Sequence, residues 1–264
     1  MKISIIGAGP AGIACGVLLK RYGVDVRIFE KGKIAGTIRN AWRVENFPPL
    51  GFISGEQFVK QLEWYAEQYG LEIVHDEILR IEDLKLRGRS GTYDCDIAVV
   101  ATGTKPRRIP EFEVSERVLY EYINLPKDTK RVAVYGGGDV AIDYAIHAFE
   151  DEIMPTVFVR NNELKAVSKL VEYAKERNIH IKLGDAIKRV EEGNSGIVIF
   201  SDSGRYEFDA LLIAIGRELN VPEIDVSKMK VYAIGDCAHP DLRQSSIAIG
   251  DGVRCAMEIL REMK

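Results

Sequence analysis

The sequence predicts an α/β protein built on two doubly wound parallel sheets, one inserted in the other. Three observations predict it. An apolar run, a glycine-rich turn and a helical stretch follow one another from residue 2. The same succession recurs from residue 131. Downstream of each, segments of alternating polarity are punctuated by turn residues. Parallel strands need a crossover of a dozen or more residues between them, and each glycine turn opens such a helix.

The first run, "KISII" (2–6), is short and β-branched and reads as a buried strand. Gly7-Ala8-Gly9-Pro10-Ala11-Gly12 follows, a GxGxxG turn. The next stretch, "AGIACGVLLKRYG", has helical spacing, small residues on one side and a stop at Gly23. "VDVRIFEK" is a second strand ending at Glu30. Each part has a physical task. Gly7 permits a tight turn, Gly9 lets backbone approach a pyrophosphate, and Gly12 lets the helix pack closely on the strand. The helix N-terminus offers N–H groups to phosphate oxygens. A carboxylate at Glu30 suits ribose hydroxyls. Strand, turn, helix, second strand and acid agree, so this unit is read as dinucleotide-binding.

The second unit, "RVAVYGGGDVAIDYAIHAF", carries Gly136-Gly137-Gly138 and then Ala141, a GxGxxA turn in which alanine fills the third small position. "TVFVRNN" reads as its second strand and "ELKAVSKLVEYAKERN" as the following helix. No acid closes this second strand. Arg160 stands there instead, followed by Asn161 and Asn162. An arginine at that place can pair with the 2′-phosphate of NADP(H), or can simply be a solvated surface residue.

"CDIAVVATGTKPRR" (95–108) and "FDALLIAIGRELNVP" (208–222) read as final strands running into crossings between domains. The stretches before them, "EILRIEDLKLRGRSGTYDCD" and "AIKRVEEGNSGIVIFSDSGRYEFD", read as small antiparallel meanders. Two Rossmann-like domains result: residues 1–107 and 219–264 form the first, and 108–218 the insert. The 264 residues suffice for two medium domains. A net charge of −4 and a pI near 5.7 give no basic surface for nucleic acid. No apolar run reaches the roughly 18 residues of a membrane helix, and the N-terminus lacks the apolar core and cleavage site of a secretory signal. The expectation is a cytoplasmic protein without nucleic-acid or membrane partners. Cys15, Cys95, Cys237 and Cys255 form no CxxC pair and no zinc-ligand spacing, so no metal is expected. Only 4 glutamines occur among plentiful lysine and glutamate, a composition leaning toward a heat-adapted source.

With these segments in order, the chain resembles the low-molecular-weight thioredoxin reductases and the thioredoxin-reductase-like ferredoxin–NADP reductases. The resemblance spans essentially the whole sequence: "IIGAGPAG" (5–12), "VENFP" (44–48), "ISGEQF" (53–58), "VVATGTKPR" (99–107), "GGGDVA" (136–141), "AIGR" (214–217), "YAIGDC" (232–237) and "RQSSIAIGDG" (243–252). It implies that the first turn binds FAD and the second NADPH or NADH. On that basis the FAD residues are Gly7, Gly9, Pro10, Ala11, Gly12, Glu30 and Lys31 around the first turn, with Asn46 in the "VENFP" loop. Ala101, Thr102 and Gly103 follow the "VVATG" strand, and Gly235, Asp236, Arg243, Gln244 and Ser245 lead into the last helix. The NAD(P)H residues are Gly136, Gly138, Asp139, Val140, Ala141, Arg160, Lys165 and Gly216. The resemblance also implies homodimerisation and the N-terminus of the last helix aimed at the flavin, where it would favour negative charge.

The sequence departs from the family at three places. The redox CxxC and its following acid should precede the second glycine turn, but "VLYEYINLPKDTK" (118–130) holds no thiol. Glu121 and Asn124 fall close to the places of the two cysteines, and Leu125 near that of the acid. Ala35-Gly36-Thr37-Ile38 stands where the family has Gly-Gly-Gln-Leu. In the basic cluster for the NADP phosphate, Asn161 replaces an arginine. Thiol–disulfide exchange requires an attacking thiolate and a resolving partner. The expected activity is therefore FAD-dependent oxidation of NAD(P)H with electrons passing directly to an external acceptor: ferredoxin, flavodoxin, another protein, a dye or oxygen. No side chain is assigned as catalytic; His239 reads as a surface-turn histidine and Cys237 as a packed thiol. Two alternatives stand beside it. One is a disulfide reductase using partner thiols, or isolated Cys237 or Cys95. The other is a non-catalytic sensor that binds both nucleotides.

Overall fold

A computed structural model describes residues 1–263. The chain begins with β1 (Ile3–Ile6), α1 (Pro10–Arg21), β2 (Val26–Phe29), α2 (Gly55–Gln68) and β3 (Glu72–Val74). It continues through β4 (Ile78–Glu82), β5 (Lys85–Gly88), β6 (Thr92–Asp94), β7 (Ile97–Val100) and β8 (Thr104–Pro106). Next come β9 (Val118–Leu119), β10 (Arg131–Tyr135), α3 (Asp139–Glu150), β11 (Met154–Val159), α4 (Ser168–Glu176) and β12 (His180–Leu183). The remainder is β13 (Ile187–Glu192), β14 (Ile197–Ser201), β15 (Gly204–Phe208), β16 (Ala210–Ile213), β17 (Arg217–Leu219), β18 (Glu223–Asp225), β19 (Lys230–Ala233) and α5 (Ser245–Glu262).

Two compact units form. One comprises 1–39, 44–105 and 218–264; the other comprises 40–43 and 106–217. The first holds a parallel sheet in the order β19-β7-β1-β2-β3 and a second sheet, β18-β4-β5-β6, whose last three strands are an antiparallel meander. The other holds the parallel sheet β12-β11-β10-β16-β9 and the antiparallel meander β13-β14-β15. The predicted α/β class, its doubly wound parallel sheets and both meanders are present. The segment Asn40–Arg43 belongs to the second unit, and no composition or pattern in the sequence sets it apart from its neighbours.

The central strands are buried on both faces, which explains their continuous apolar runs. In β10, Val132 and Val134 face the core shared with α3, while Ala133 and Tyr135 face that of the meander, with Ile187, Ile197, Ile199 and Phe208. In the first unit, Ile6, Phe29, Ala98 and Val100 pack with Ile78, Ile81 and Leu86 of its meander. Burying each such large side chain stabilises the fold by about 1.5–3 kcal/mol relative to leaving it exposed.

Two local findings refine the sequence reading. The "ISGEQF" motif builds a capping box: the Gln57 N–H donates to Ser54 Oγ at 3.1 Å, and the Ser54 N–H donates to Gln57 Oε1 at 2.8 Å. The helix expected over "ELKAVSKLVEYAKERN" starts only at Ser168. The residues before it spend their N–H groups elsewhere: Lys165 donates to Gly137 O at 2.7 Å and Val167 to Asp139 Oδ1 at 2.8 Å. A tertiary contact with the second glycine turn thus overrides helix propensity there.

Candidate cofactor-binding site

In the first unit the strand β1 runs into Gly7, whose φ of +110° is readily open only to glycine. A Cβ there would sit 2.4 Å from the Ala101 carbonyl oxygen. A Cβ on Gly12 would sit 1.9 Å from Gly7 O. Gly9 differs: it is the N-cap of α1 and nothing lies within 4 Å of where its Cβ would be. The turn is therefore closed at Gly7 and Gly12 by protein backbone and open at Gly9. Pro10 at the first helical position removes a donor the helix cannot use, and the first turn leaves the Ala11 and Gly12 N–H groups outside the helical ladder.

Glu30 lies directly beside this turn. Its Oε2 accepts from the Ala8 N–H at 2.9 Å and its Oε1 from the Gly32 N–H at 2.8 Å. Lys31 turns away to Glu77, at 3.1 Å. Ala35 and Gly36 fold back onto the turn: the Ala35 N–H donates to Ala8 O at 2.8 Å, and a Cβ on Gly36 would be 3.9 Å from the Gly9 Cα. Ala35 is fully buried with φ +72°, a left-handed conformation unusual for alanine.

The other predicted residues of this unit form two further groups. Ala101 donates to Ile6 O, and the Thr102 and Gly103 carbonyls accept from Asn220. Thr102 Oγ1 is buried without a hydrogen-bond partner. At α5, the Asn46 side-chain amide donates to Gln244 Oε1, joining two predicted residues at the helix N-cap. Ser245 begins the helix and Arg243 is exposed before it. Gly235, at φ +69°, comes within 3.0 Å of Ala11 through its would-be Cβ, so the Gly235-Asp236 turn lies against α1.

One supporting residue was missed in the sequence. Asp251, on α5, accepts from the Gly235 N–H at 3.1 Å through Oδ2, and that oxygen also lies 3.1 Å from His239 Nε2. It holds the Gly235-Asp236 turn to the helix. Its only signal in the sequence is its place in "IGDG", one helical turn after Ile247. His239 lies in a partly exposed turn, as read from the sequence, with its Nε2 beside this carboxylate.

The second unit repeats the backbone geometry. Gly136 has φ +153°, and a Cβ there would be 2.2 Å from Ala214 O. Ala141 is fully buried, Gly138 caps α3, and nothing lies within 4 Å of its would-be Cβ. Asp139 opens α3, and Val140 is exposed beside it. Arg160 and Lys165 are exposed, near the end of β11 and before α4. Gly216, at φ +120°, is open around its Cα, and its carbonyl accepts from Arg107 N.

The segment without a dithiol has its own architecture. Tyr122–Asn124 forms one 3₁₀ turn, and Glu121 precedes it. Glu121 Oε1 pairs with Arg217 Nη1 at 2.9 Å. Its Oε2 accepts from Asn40 Nδ2 at 2.7 Å and from the Tyr144 hydroxyl at 3.1 Å. The Ile123 N–H donates back to Asn40 Oδ1 at 3.2 Å. Burial, then the Glu121 charge, pushes the Tyr144 phenol well above its ordinary range. Next to this network the Trp42 N–H donates to Asp143 Oδ2 at 3.0 Å, and burial pushes the Asp143 carboxyl up to about 7. Burial lowers His147, whose ring stacks on Tyr122 at 4.0 Å. Glu121 is thus a carboxylate held by one ion pair and two hydrogen bonds.

All four cysteines are buried. The Cys95 thiol donates to Ile97 O at 3.1 Å, and burial raises it. Cys237 donates to Val100 O and Ile234 O at 3.3 and 3.2 Å. Among the described residues no cluster of His, Cys, Asp and Glu is placed to hold a metal, and no helix is long and apolar enough to cross a membrane.

Two glycine turns of this geometry, each heading a parallel sheet, make a Rossmann-like α/β protein of two units. The chain belongs to the pyridine nucleotide-disulphide oxidoreductase family, whose model matches residues 1–252. FAD and NADPH are the cofactors of its thioredoxin reductase and ferredoxin–NADP reductase members. A 34.2 kDa protein of the rubredoxin operon of Clostridium pasteurianum is 26% identical over 295 aligned positions, covering 97% of this chain and 95% of that protein. The ferredoxin–NADP reductase of Ignicoccus hospitalis is 27% identical over 237 positions, 81% of this chain and 76% of that one. The crystal structure of T. acidophilum thioredoxin reductase superimposes with a TM-score of 0.87 at 21% identity, covering 99% of this chain and 98% of the other.

Proposed function

We propose that this flavin-dependent oxidoreductase oxidises NAD(P)H and passes the electrons to an external acceptor, a small redox protein such as ferredoxin, without an internal disulfide. The observation that carries the reading is Glu121. The stretch that holds the dithiol in thioredoxin reductases holds here a carboxylate tied to Arg217, Asn40 and Tyr144. The relative named ferredoxin–NADP reductase supports an iron–sulfur acceptor.

The first unit fits FAD. Its turn is open at Gly9 and closed behind it, and the buried Thr102 hydroxyl lacks a protein partner. Gly9, Pro10, Ala11 and Gly12 would hold the pyrophosphate, Glu30 the ribose hydroxyls, and Gly235 and Asp236 the ribitol side. Asn46, Gln244 and Ser245, at the N-terminus of α5, would line the ring end. When bound, FAD supplies a centre that takes up two electrons and releases them singly or in pairs. The residues of the chain bind, orient and supply a fixed electrostatic field. In the second unit Gly136, Gly138 and the N-terminus of α3 would receive the nucleotide pyrophosphate, and Arg160 and Lys165 a 2′-phosphate.

Anaerobic titration of the purified protein with NADPH and NADH, followed by mixing with ferredoxin, thioredoxin plus a disulfide dye, and oxygen, tests the reading. The expected result is bleaching of the flavin band and rapid ferredoxin reduction, retained in a variant with all four cysteines replaced by serine. Thioredoxin reduction lost in that variant would establish the disulfide reductase instead. Absence of bleaching with either nucleotide would establish a sensor.

A further inference from the structure

We infer that Cys15 of α1 and Cys255 of α5 are an oxidisable pair, a site where a disulfide can join the two helices that border the first glycine turn. Neither thiol belongs to the electron path proposed above. The two helices touch through backbone: a Cβ on Gly252 would sit 2.2 Å from Ala11 O and 3.0 Å from Cys15 N. Cys255 follows Gly252, and Cys15 follows Ala11, by about one helical turn. Both cysteines therefore lie just past the point of closest approach, on the two helices in contact there. Both residues are fully buried, at 0% and 1% exposure. Cys95 and Cys237 differ, because each directs its thiol at main-chain carbonyls.

The neighbouring Cys255 side chain, and then burial, raises the Cys15 thiol well above its usual range. The packed pair is consequently inert, and exchange needs α5 to part from α1 or a chain not yet fully packed. The oxidant is a small-molecule disulfide. One cysteine thiolate attacks it, forms a mixed disulfide and releases one thiol. The second cysteine thiolate attacks the protein sulfur of that mixed disulfide, the Cys15–Cys255 bond forms, and the second thiol leaves. Two protein thiols are oxidised, one small disulfide is reduced, and the two protons go to the released thiols. Once formed, the bond would fix the spacing of Gly252 against Ala11, and with it the seat of the Gly235-Asp236 turn.

The purified full-length protein is incubated with oxidised glutathione at increasing temperature, and in parallel in mild urea followed by dilution. Free thiols are then alkylated and the protein is digested without reduction for mass spectrometry. The expected product is a peptide pair linking Cys15 to Cys255, about 2 Da lighter than the two reduced peptides together, with Cys95 and Cys237 alkylated. The oxidised protein should melt higher by roughly 5 °C or more, reversibly on reduction. Cys255→Ala should give no cross-link. If that variant fails to fold, the wild-type peptide map alone decides. Glutathione adducts on single cysteines, links involving Cys95 or Cys237, or no loss of thiols under both treatments would overturn the inference.

Discussion

The two glycine turns have nearly one backbone and different surroundings. In each, a glycine at positive φ is pressed onto the carbonyl of a neighbouring strand, Gly7 on Ala101 and Gly136 on Ala214. In each, the glycine that caps the helix is open. Around the first, Glu30 receives the Ala8 N–H. Around the second, no acid follows the strand, Arg160 is exposed, and the chain before α4 donates to Gly137 O and Asp139. The backbone geometry of both turns is therefore set by packing within each unit. On the function proposed above, the choice of nucleotide would rest on a few side chains placed around that geometry.

The largest effects should come from breaking the shared part. Gly7→Ala and Gly136→Ala each put a methyl group within 2.4 and 2.2 Å of a carbonyl oxygen, at a strained φ, and should each cost about 3 kcal/mol or more. The comparison predicts that the losses separate. Gly136→Ala should retain bound flavin in its visible spectrum yet lose bleaching by NAD(P)H, whereas Gly7→Ala should be isolated without flavin. Equal loss of flavin in both would show that the turns do not act independently.

How much of this was legible follows from the same contrast. Glycine spacing, the acid at Glu30 and apolar strands are local patterns, so both sheets and both meanders could be read from the sequence. The Glu121 network was not legible, because its members lie at positions 40, 121, 144 and 217 and each alone looks like a surface residue. Asp251 escaped for a similar reason: its partners Gly235 and His239 lie on another element. The late start of α4 was hidden because its sequence is a good helix former throughout, and only tertiary hydrogen bonds at Lys165 and Val167 stop it.

A second prediction concerns the helices that the turns open. Counting from the first glycine of each turn, Ala14 of α1 corresponds to Asp143 of α3. Burial raises Asp143 to about 7 in the folded protein, above its unfolded value near 3.8. Between those values the folded state holds the proton and the unfolded state does not, so stability falls as pH rises through that window and levels off above it. His147, lowered by burial, adds the opposite slope as pH falls below about 6.5. Asp143→Asn keeps an oxygen for the Trp42 N–H and removes the charge. At pH 8 it should be more stable than the parent by about 1–3 kcal/mol, and the two should converge near pH 4 in denaturant titrations. A pH-independent difference would locate the effect in packing.

The side chains that distinguish the turns should give smaller, selective changes. Glu30→Gln should weaken FAD retention about tenfold, or roughly 1.4 kcal/mol, while leaving the KM for NADPH unchanged. Arg160→Ala should raise the KM for NADPH about tenfold and leave that for NADH unchanged. Equal effects of Arg160→Ala on both nucleotides would place the guanidinium away from the 2′-phosphate.

The smallest expected effect lies in the segment that folds back onto the first turn, as the chain before α4 does onto the second. Ala35 hands its N–H to Ala8 O and holds φ +72° to do so, at a position where the resembled family has glycine. The left-handed conformation costs alanine on the order of 1 kcal/mol. Its methyl group is fully buried, and burial returns about 0.8 kcal/mol. Glycine would relieve the strain but lose the methyl contacts and gain unfolded-state entropy. Ala35→Gly should therefore shift stability by less than about 0.5 kcal/mol in either direction, with flavin binding unchanged. A loss above about 2 kcal/mol, read from denaturant midpoints, would mean that the Ala35 methyl is a structural contact of the first turn in its own right.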